Sequence, residues 1–159
     1  MKHIALIAAA LLPAGPAHAL SCMAPDPADT FQRANAATEV YVVLRGRFDF
    51  DESLMPQLVG DEAPEDPAAV PARFAGRALG PEGFTIPYET ELLLQPQCFG
   101  PWCGGMAPSG DAVAFARDNG AGVYVIDLGP CGGTVFEPTP QVVGTITSCM
   151  AGTGCTPAN

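Results

Sequence analysis

The chain has 159 residues, with seventeen Asp and Glu against seven Lys and Arg, and six cysteines. Its formal charge of −10 argues against nucleic acid and anionic membrane as partners, since both are bound through basic patches. No stretch reaches the roughly 18–20 apolar residues of a spanning helix, so no membrane span is expected.

The first nineteen residues read as a secretory signal. Lys2 and His3 give a short polar start, Ile4 to Leu12 an apolar run, and Ala17-His18-Ala19 the small-x-small form that signal peptidase accepts. Cleavage after Ala19 leaves 20–159 as one domain, expected in the periplasm or secreted. Both histidines (His3, His18) and the only lysine (Lys2) leave with the signal, and six arginines then face seventeen acids, a formal charge of −11. A lipoprotein reading of Ala19-Leu20-Ser21-Cys22 fits poorly, because lipidation of Cys22 would strand one of the remaining five cysteines without a partner.

After Cys22 a Pro/Asp-rich stretch leads to a helical turn or two at Thr30–Ala37, with Asp29 as the expected cap. From Val40 to Phe50 the alternation is that of a half-buried strand. Val40, Val42, Leu44, Phe48 and Phe50 share one face, and Arg45, Arg47 and Asp49 the other. Residues 51–71 hold six acids, four prolines and no basic residue, which predicts a long exposed acidic loop. The spacing of those acids lacks the D-x-D-x-D-G form of a calcium loop.

Strand signals return at Arg73–Leu79 and Phe84–Leu94, joined by the turn Gly80-Pro81-Glu82-Gly83. Phe84, Ile86, Tyr88, Leu92 and Leu94 are expected on one face of the second strand. Ala112–Arg117 and Val123–Leu128 form a further pair around Asp118-Asn119-Gly120-Ala121-Gly122, strong hairpin chemistry. At Thr139-Pro140 a helix cap competes with the strand propensity of Val142–Thr147, and a short helix is the expectation. Five strands and a flanking helix predict a mainly β chain, a closed or nearly closed barrel whose bends fall at Gly46 and Gly76.

The mature composition restricts the chemistry. Without histidine there is no Ser-His-Asp or Cys-His catalysis and no H-E-x-x-H zinc site. Without lysine there is no Schiff base and no P-loop. Carboxylate pairs of the glycosidase kind need two particular acids, and the spacing singles out none. No catalytic residue, metal ligand or cofactor is therefore expected.

Cys22, Cys98, Cys103, Cys131, Cys149 and Cys155 all survive cleavage, and an even count in an exported chain reads as three disulfides, with fifteen connectivities open. Cys98-Phe99-Gly100-Pro101-Trp102-Cys103 echoes a thioredoxin-type site, but its four-residue gap of turn formers points to a structural bridge. Phe99 and Trp102, in a Gly/Pro loop between strands, are the candidate binding residues.

Cys22-Met-Ala-Pro-Asp-Pro-Ala-Asp-Thr-Phe31, then Ala34 and the strand Val40-Tyr-Val-Val-Leu-Arg-Gly46, is similar to the opening of netrin-like domains, a group that includes the tissue inhibitors of metalloproteinases. Cys103-Gly104 before a hairpin whose second strand runs into Cys131 extends the likeness over roughly residues 22–131. The resemblance implies an OB-type five-stranded barrel. It also implies a bridge from the opening cysteine to the one ending the hairpin, Cys22–Cys131, leaving Cys98–Cys103 and Cys149–Cys155 to pair locally.

The inhibitors grip a protease's zinc through the amine and carbonyl of an N-terminal cysteine. Here the family's C-x-C start is absent, and Cys22 becomes the terminus only if cleavage falls after Ser21, where Ala19-Leu20-Ser21 also presents small residues. The expected function is therefore an exported, non-catalytic binding module with a protein partner. Metalloprotease inhibition and a structural envelope protein are the alternatives.

Overall fold

The computed structural model describes residues 20–60, 62–107 and 110–158, so the signal expected over residues 1–19 lies outside the described residues. The chain is mainly β with two helices. In order these are α1 (Pro27–Ala36), β1 (Tyr41–Phe50), a 3₁₀ turn (Glu52–Leu54), β2 (Val70–Gly80), β3 (Gly83–Pro96), β4 (Cys98–Phe99), β5 (Trp102–Cys103), β6 (Asp111–Asp118), β7 (Tyr124–Leu128), β8 (Val135–Phe136) and α2 (Pro140–Ala151).

Five strands pair in a ring, β1-β2-β3-β7-β6 and back to β1. The β3–β7 pairing is parallel and the others antiparallel. β8 adds to the free edge of β6, and β4–β5 form a separate two-residue hairpin. Among the described residues no helix is long and apolar enough to cross a membrane.

β1 belongs to two ladders at once, pairing Leu44–Phe50 with β2 and Tyr41–Arg47 with β6. Gly46 stands opposite Gly76, and the two backbones approach so closely that no side chain fits. A Cβ on Gly46 would lie 2.5 Å from the Ala75 carbonyl oxygen; one on Gly76 would lie 2.4 Å from that of Arg45 and 2.8 Å from the Phe74 ring. Neighbouring Phe48 and Phe74 are cross-strand partners, with ring centroids 4.8 Å apart and both side chains fully buried. Each such burial is worth about 1.5–3 kcal/mol.

The apolar residues fall into two layers because side chains alternate across a strand. Inside the ring lie Leu44, Phe48, Phe74, Leu92, Leu94 and Ile126 with Ala112, Ala114 and Ala116. Outside it, Val43, Leu79, Phe84, Val113, Phe115 and Phe136 pack with Ile146 of α2 and Phe31 of α1. β6 is thus buried on both faces, with alanines inside, where the phenylalanines already fill the space, and Val113 and Phe115 outside under the helices. Sequence alternation assigns β1 a single apolar face, yet Val43 on the opposite face is also buried.

Several boundaries differ from expectation. α1 begins at Pro27, and its cap is Asp26, not Asp29. The Asp26 carboxylate accepts from the amides of Ala28 and Asp29, and Pro27 at the first helical position needs no such acceptor. Val40 precedes β1 and is 69% exposed, and Ile86, expected on the buried face of β3, is 46% exposed. The acidic loop ends at Ala69, because Val70 already pairs with Leu94; within the loop Asp51 caps the 3₁₀ turn and Val59 bridges to Glu62. α2 is helical over the segment where strand propensity competed, started by the Thr139 hydroxyl and Pro140 and ended by Gly152 in the left-handed region.

Asp26 also holds the other end of the chain, since the amide of Ala158 donates to its second oxygen at 2.8 Å. These amide donors, that of Ala158 foremost, hold the carboxyl below its usual range, against a small opposing effect of burial. With the folded value below the unfolded one, Asp26 contributes stability above about pH 4 that is lost as the pH falls further. Replacing Asp26 with Ala is expected to cost about 1–2 kcal/mol at pH 7 and much less at pH 2 to 3. Urea unfolding at both pH values checks this; an equal loss at both would refute the ionised-cap account.

Candidate functional site

One of the three disulfides joins distant parts of the chain, and the other two are local. Cys22 is joined to Cys131 across a sequence separation of 109, Cys98 to Cys103, and Cys149 to Cys155. Cys98 and Cys103 stand opposite each other on β4 and β5, as do Phe99 and Trp102. The bridge therefore closes a tight hairpin, not a helix start of the redox kind.

That hairpin is fastened by backbone contacts. The Gln97 amide donates to the Leu128 carbonyl, and the Gly104 amide to the Gln97 carbonyl, both at 2.9 Å. Gly104 lies flat against Leu128–Gly129, where a Cβ would fall 1.9 Å from the Leu128 oxygen. From Leu128 the chain turns at Gly129–Gly132, closed by the Gly132 amide on the Gly129 carbonyl at 2.9 Å, with Cys131 inside the turn. Pro25 rests near Gly132 and Gly133, and the Thr30 hydroxyl donates to the Gly133 carbonyl at 2.8 Å. Residues 22–25, 97–104 and 128–133 thus share one end of the molecule.

Its large exposed side chains include two apolar ones. Phe99 is 65% and Met23 88% exposed, while Trp102 is half-buried beside Gly100. Cys22 itself is exposed.

A second feature lies where β1, β2 and β3 meet the β6–β7 loop. A groove of about 870 Å³ is lined by Asp49, Asp51, Arg73 and Glu91, with apolar Leu93 and Val123 among its walls. Arg73 stands in register between Asp49 and Glu91. Asp51 accepts from the Ser53 hydroxyl and amide, which lowers its pKa. Arg117 makes two bonds to Asp127, at 2.6 and 3.1 Å, clamping β6 to β7 where their ladder is only two residue pairs long.

Sequence reasoning singled out Phe99 and Trp102, which the hairpin brings face to face, but it named no residue of this groove. Its lining comes from four separate segments, residues 49–51, 71–73, 90–93 and 122–123, and the only trace in sequence is the polar parity of β1, β2 and β3. Among the described residues no group of three His, Cys, Asp or Glu is placed to hold a metal ion. No protein-family model, curated protein or solved structure matches the chain.

The Gly104 contact makes a direct test of how the end is held. Gly104→Ala must push the hairpin off Leu128, at a cost of about 2–3 kcal/mol. Amide exchange at Gln97 and Gly104 should quicken while that of the β6 core stays slow; unchanged protection at both amides would contradict the described contact.

Proposed function

We propose that this chain is an exported, non-catalytic binding module, in which an OB-type barrel of the netrin-like kind carries a contact surface at its disulfide-tied end. The ring order β1-β2-β3-β7-β6-β1 with one parallel pairing supports the barrel reading. Three disulfides are compatible with a periplasmic or extracellular address.

The observation that carries the functional reading is Phe99, a large apolar side chain 65% exposed on a hairpin closed by a disulfide and a backbone bond and anchored to Leu128 by another. Exposing it costs about 1.5–3 kcal/mol of forgone burial, and fixing it in place lowers the entropy lost on meeting a partner. Aromatic anchors of this sort dominate protein–protein binding energy.

A Phe99→Ala/Trp102→Ala variant should melt within a few degrees of the parent and lose the protein that the parent retains from periplasmic or culture-fluid extract. Retention of the same protein by both forms would place the contact surface elsewhere.

A second reading, metalloprotease inhibition, is favoured by the exposure of Cys22 beside the Pro25–Gly133 contact. It requires Cys22 as the first residue. Intact mass of the mature protein decides it: a chain starting at Leu20 has no free cysteine amine to offer a zinc ion.

A further inference from the structure

β3 is much longer than the strand beside it. It pairs with β2 from Gly83 to Leu94, but with β7 only from Leu92 to Pro96. Over Thr85–Glu91 the edge that continues the β7 ladder has no strand partner among the described residues.

The direction of its backbone groups follows from one residue. Pro87 stands opposite Arg77 and has no N–H, so this antiparallel pair cannot be the hydrogen-bonded kind. Pro87 therefore turns its carbonyl away from β2, toward the open edge, and with period two so do Thr85, Glu89 and Glu91. The Thr85 carbonyl accepts from the Arg77 guanidinium at 3.0 Å. Amides and carbonyls of Glu89 and Glu91 thus repeat, unoccupied by any strand, the ladder that β7 uses at Leu93 and Gln95, although the Glu91 carbonyl also accepts from the exchangeable Thr90 hydroxyl at 3.0 Å.

The groove described above lies alongside. Thr90, Glu91, Leu92 and Leu93 form its β3 wall, and Gly122 and Val123, just before β7, its far side. A strand laid along Thr85–Glu91 would lie in line with β7 and reach this groove. The charges there are Asp49, Asp51 and Glu91 against Arg73 in the groove, Arg77 at the Thr85 end of the edge, and Glu89 on the strand, directly opposite the uncharged Ala75, so four acids face two arginines. Exposed Pro87, Glu89 and Glu91 are devices that discourage pairing with a second copy of the same acidic edge.

We propose that the free edge of β3 is a binding site for an extended, basic peptide segment, which adds as a strand beside Thr85–Glu91 and sets Lys or Arg side chains against Glu89, Glu91 and the groove acids. Backbone bonds give the attachment, and alternate side chains select for positive charge. The site lies apart from the Phe99 end, so it stands or falls independently of the function proposed above.

The test uses the mature protein and an acetylated, amidated peptide of alternating lysine and valine, by calorimetry and by amide chemical shifts. Two further peptides carry N-methyl groups on one or the other set of alternate amides. The peptide should bind, with shifts centred on Glu89, Glu91 and Leu93, and one N-methyl set should weaken binding about tenfold or more while the other does not. Glu89→Lys should weaken it about tenfold with an unchanged melting temperature. If that variant fails to fold, Glu89→Gln is read by the same shifts and should weaken binding less. No binding, equal binding of the two N-methyl peptides, or shifts centred on the Phe99 hairpin would each overturn the proposal.

Discussion

At Gly46 and Gly76 the backbones of β1 and β2 approach too closely for any side chain, and the rest of the ring depends on that contact. β1 is bonded on both edges there, to Gly76 on one side and to Ala112 on the other. A sheet that must return to its first strand needs a sharp bend somewhere, and two facing residues without Cβ atoms supply it. The space their missing side chains leave is taken by Phe74, whose ring seats against Phe48 and fills the interior. Large rings at this point leave room only for Ala112, Ala114 and Ala116 on β6, so the composition of that strand follows from the contact beside it.

Closure alone does not complete the core. Val43, Leu79, Phe84, Val113 and Phe115 lie on the outer surface of the ring and need the two helices over them. Both helices are near chain ends, where fraying is easiest, and the disulfides act at those ends. Cys22–Cys131 ties the segment before α1 to the turn after β7, and Cys149–Cys155 folds the tail back past the end of α2. Asp26 then joins the two, capping α1 while holding the amide of Ala158. The long bridge constrains the unfolded chain by about 4–5 kcal/mol in the loop-entropy picture, a large term for a chain of this size.

Much of this was legible in sequence because alternation is a direct imprint of a half-buried strand. β1, β3 and the β6–β7 hairpin fall where the period-two pattern runs, and Thr139-Pro140 marks the start of α2. What misled was local chemistry that only tertiary context resolves. Val40 continues the apolar alternation and its carbonyl still accepts from the Asp118 amide of β6, but its side chain lies exposed at the end of the ladder, and that of Ile86 is exposed near the start of β3. Starting the helix at Thr30 makes Asp29 the cap, whereas Pro27 at the first helical position moves the cap to Asp26. Of β6 only the extent is legible, and what covers its outer side, the two helices, is set by tertiary packing.

The sites differ in the same way. Phe99 and Trp102 could be picked out because the loop that carries them is continuous and bounded by its own cysteines. The groove and the open edge of β3 are products of unequal strand lengths and of pairing between distant segments, and no window of sequence contains them. Cysteine spacing left fifteen connectivities open, and the long pair could be written down only through the netrin-like resemblance.

Chemical denaturation of Gly76→Ala, with all three disulfides intact, tests the central constraint most directly. If the Gly46–Gly76 approach governs ring closure, the added methyl must move backbone and the Phe74 ring together, and the unfolding free energy should fall by about 3 kcal/mol or more. An unfolding midpoint and slope equal to the parent's would show that the sheet closes without that contact, and would contradict the account.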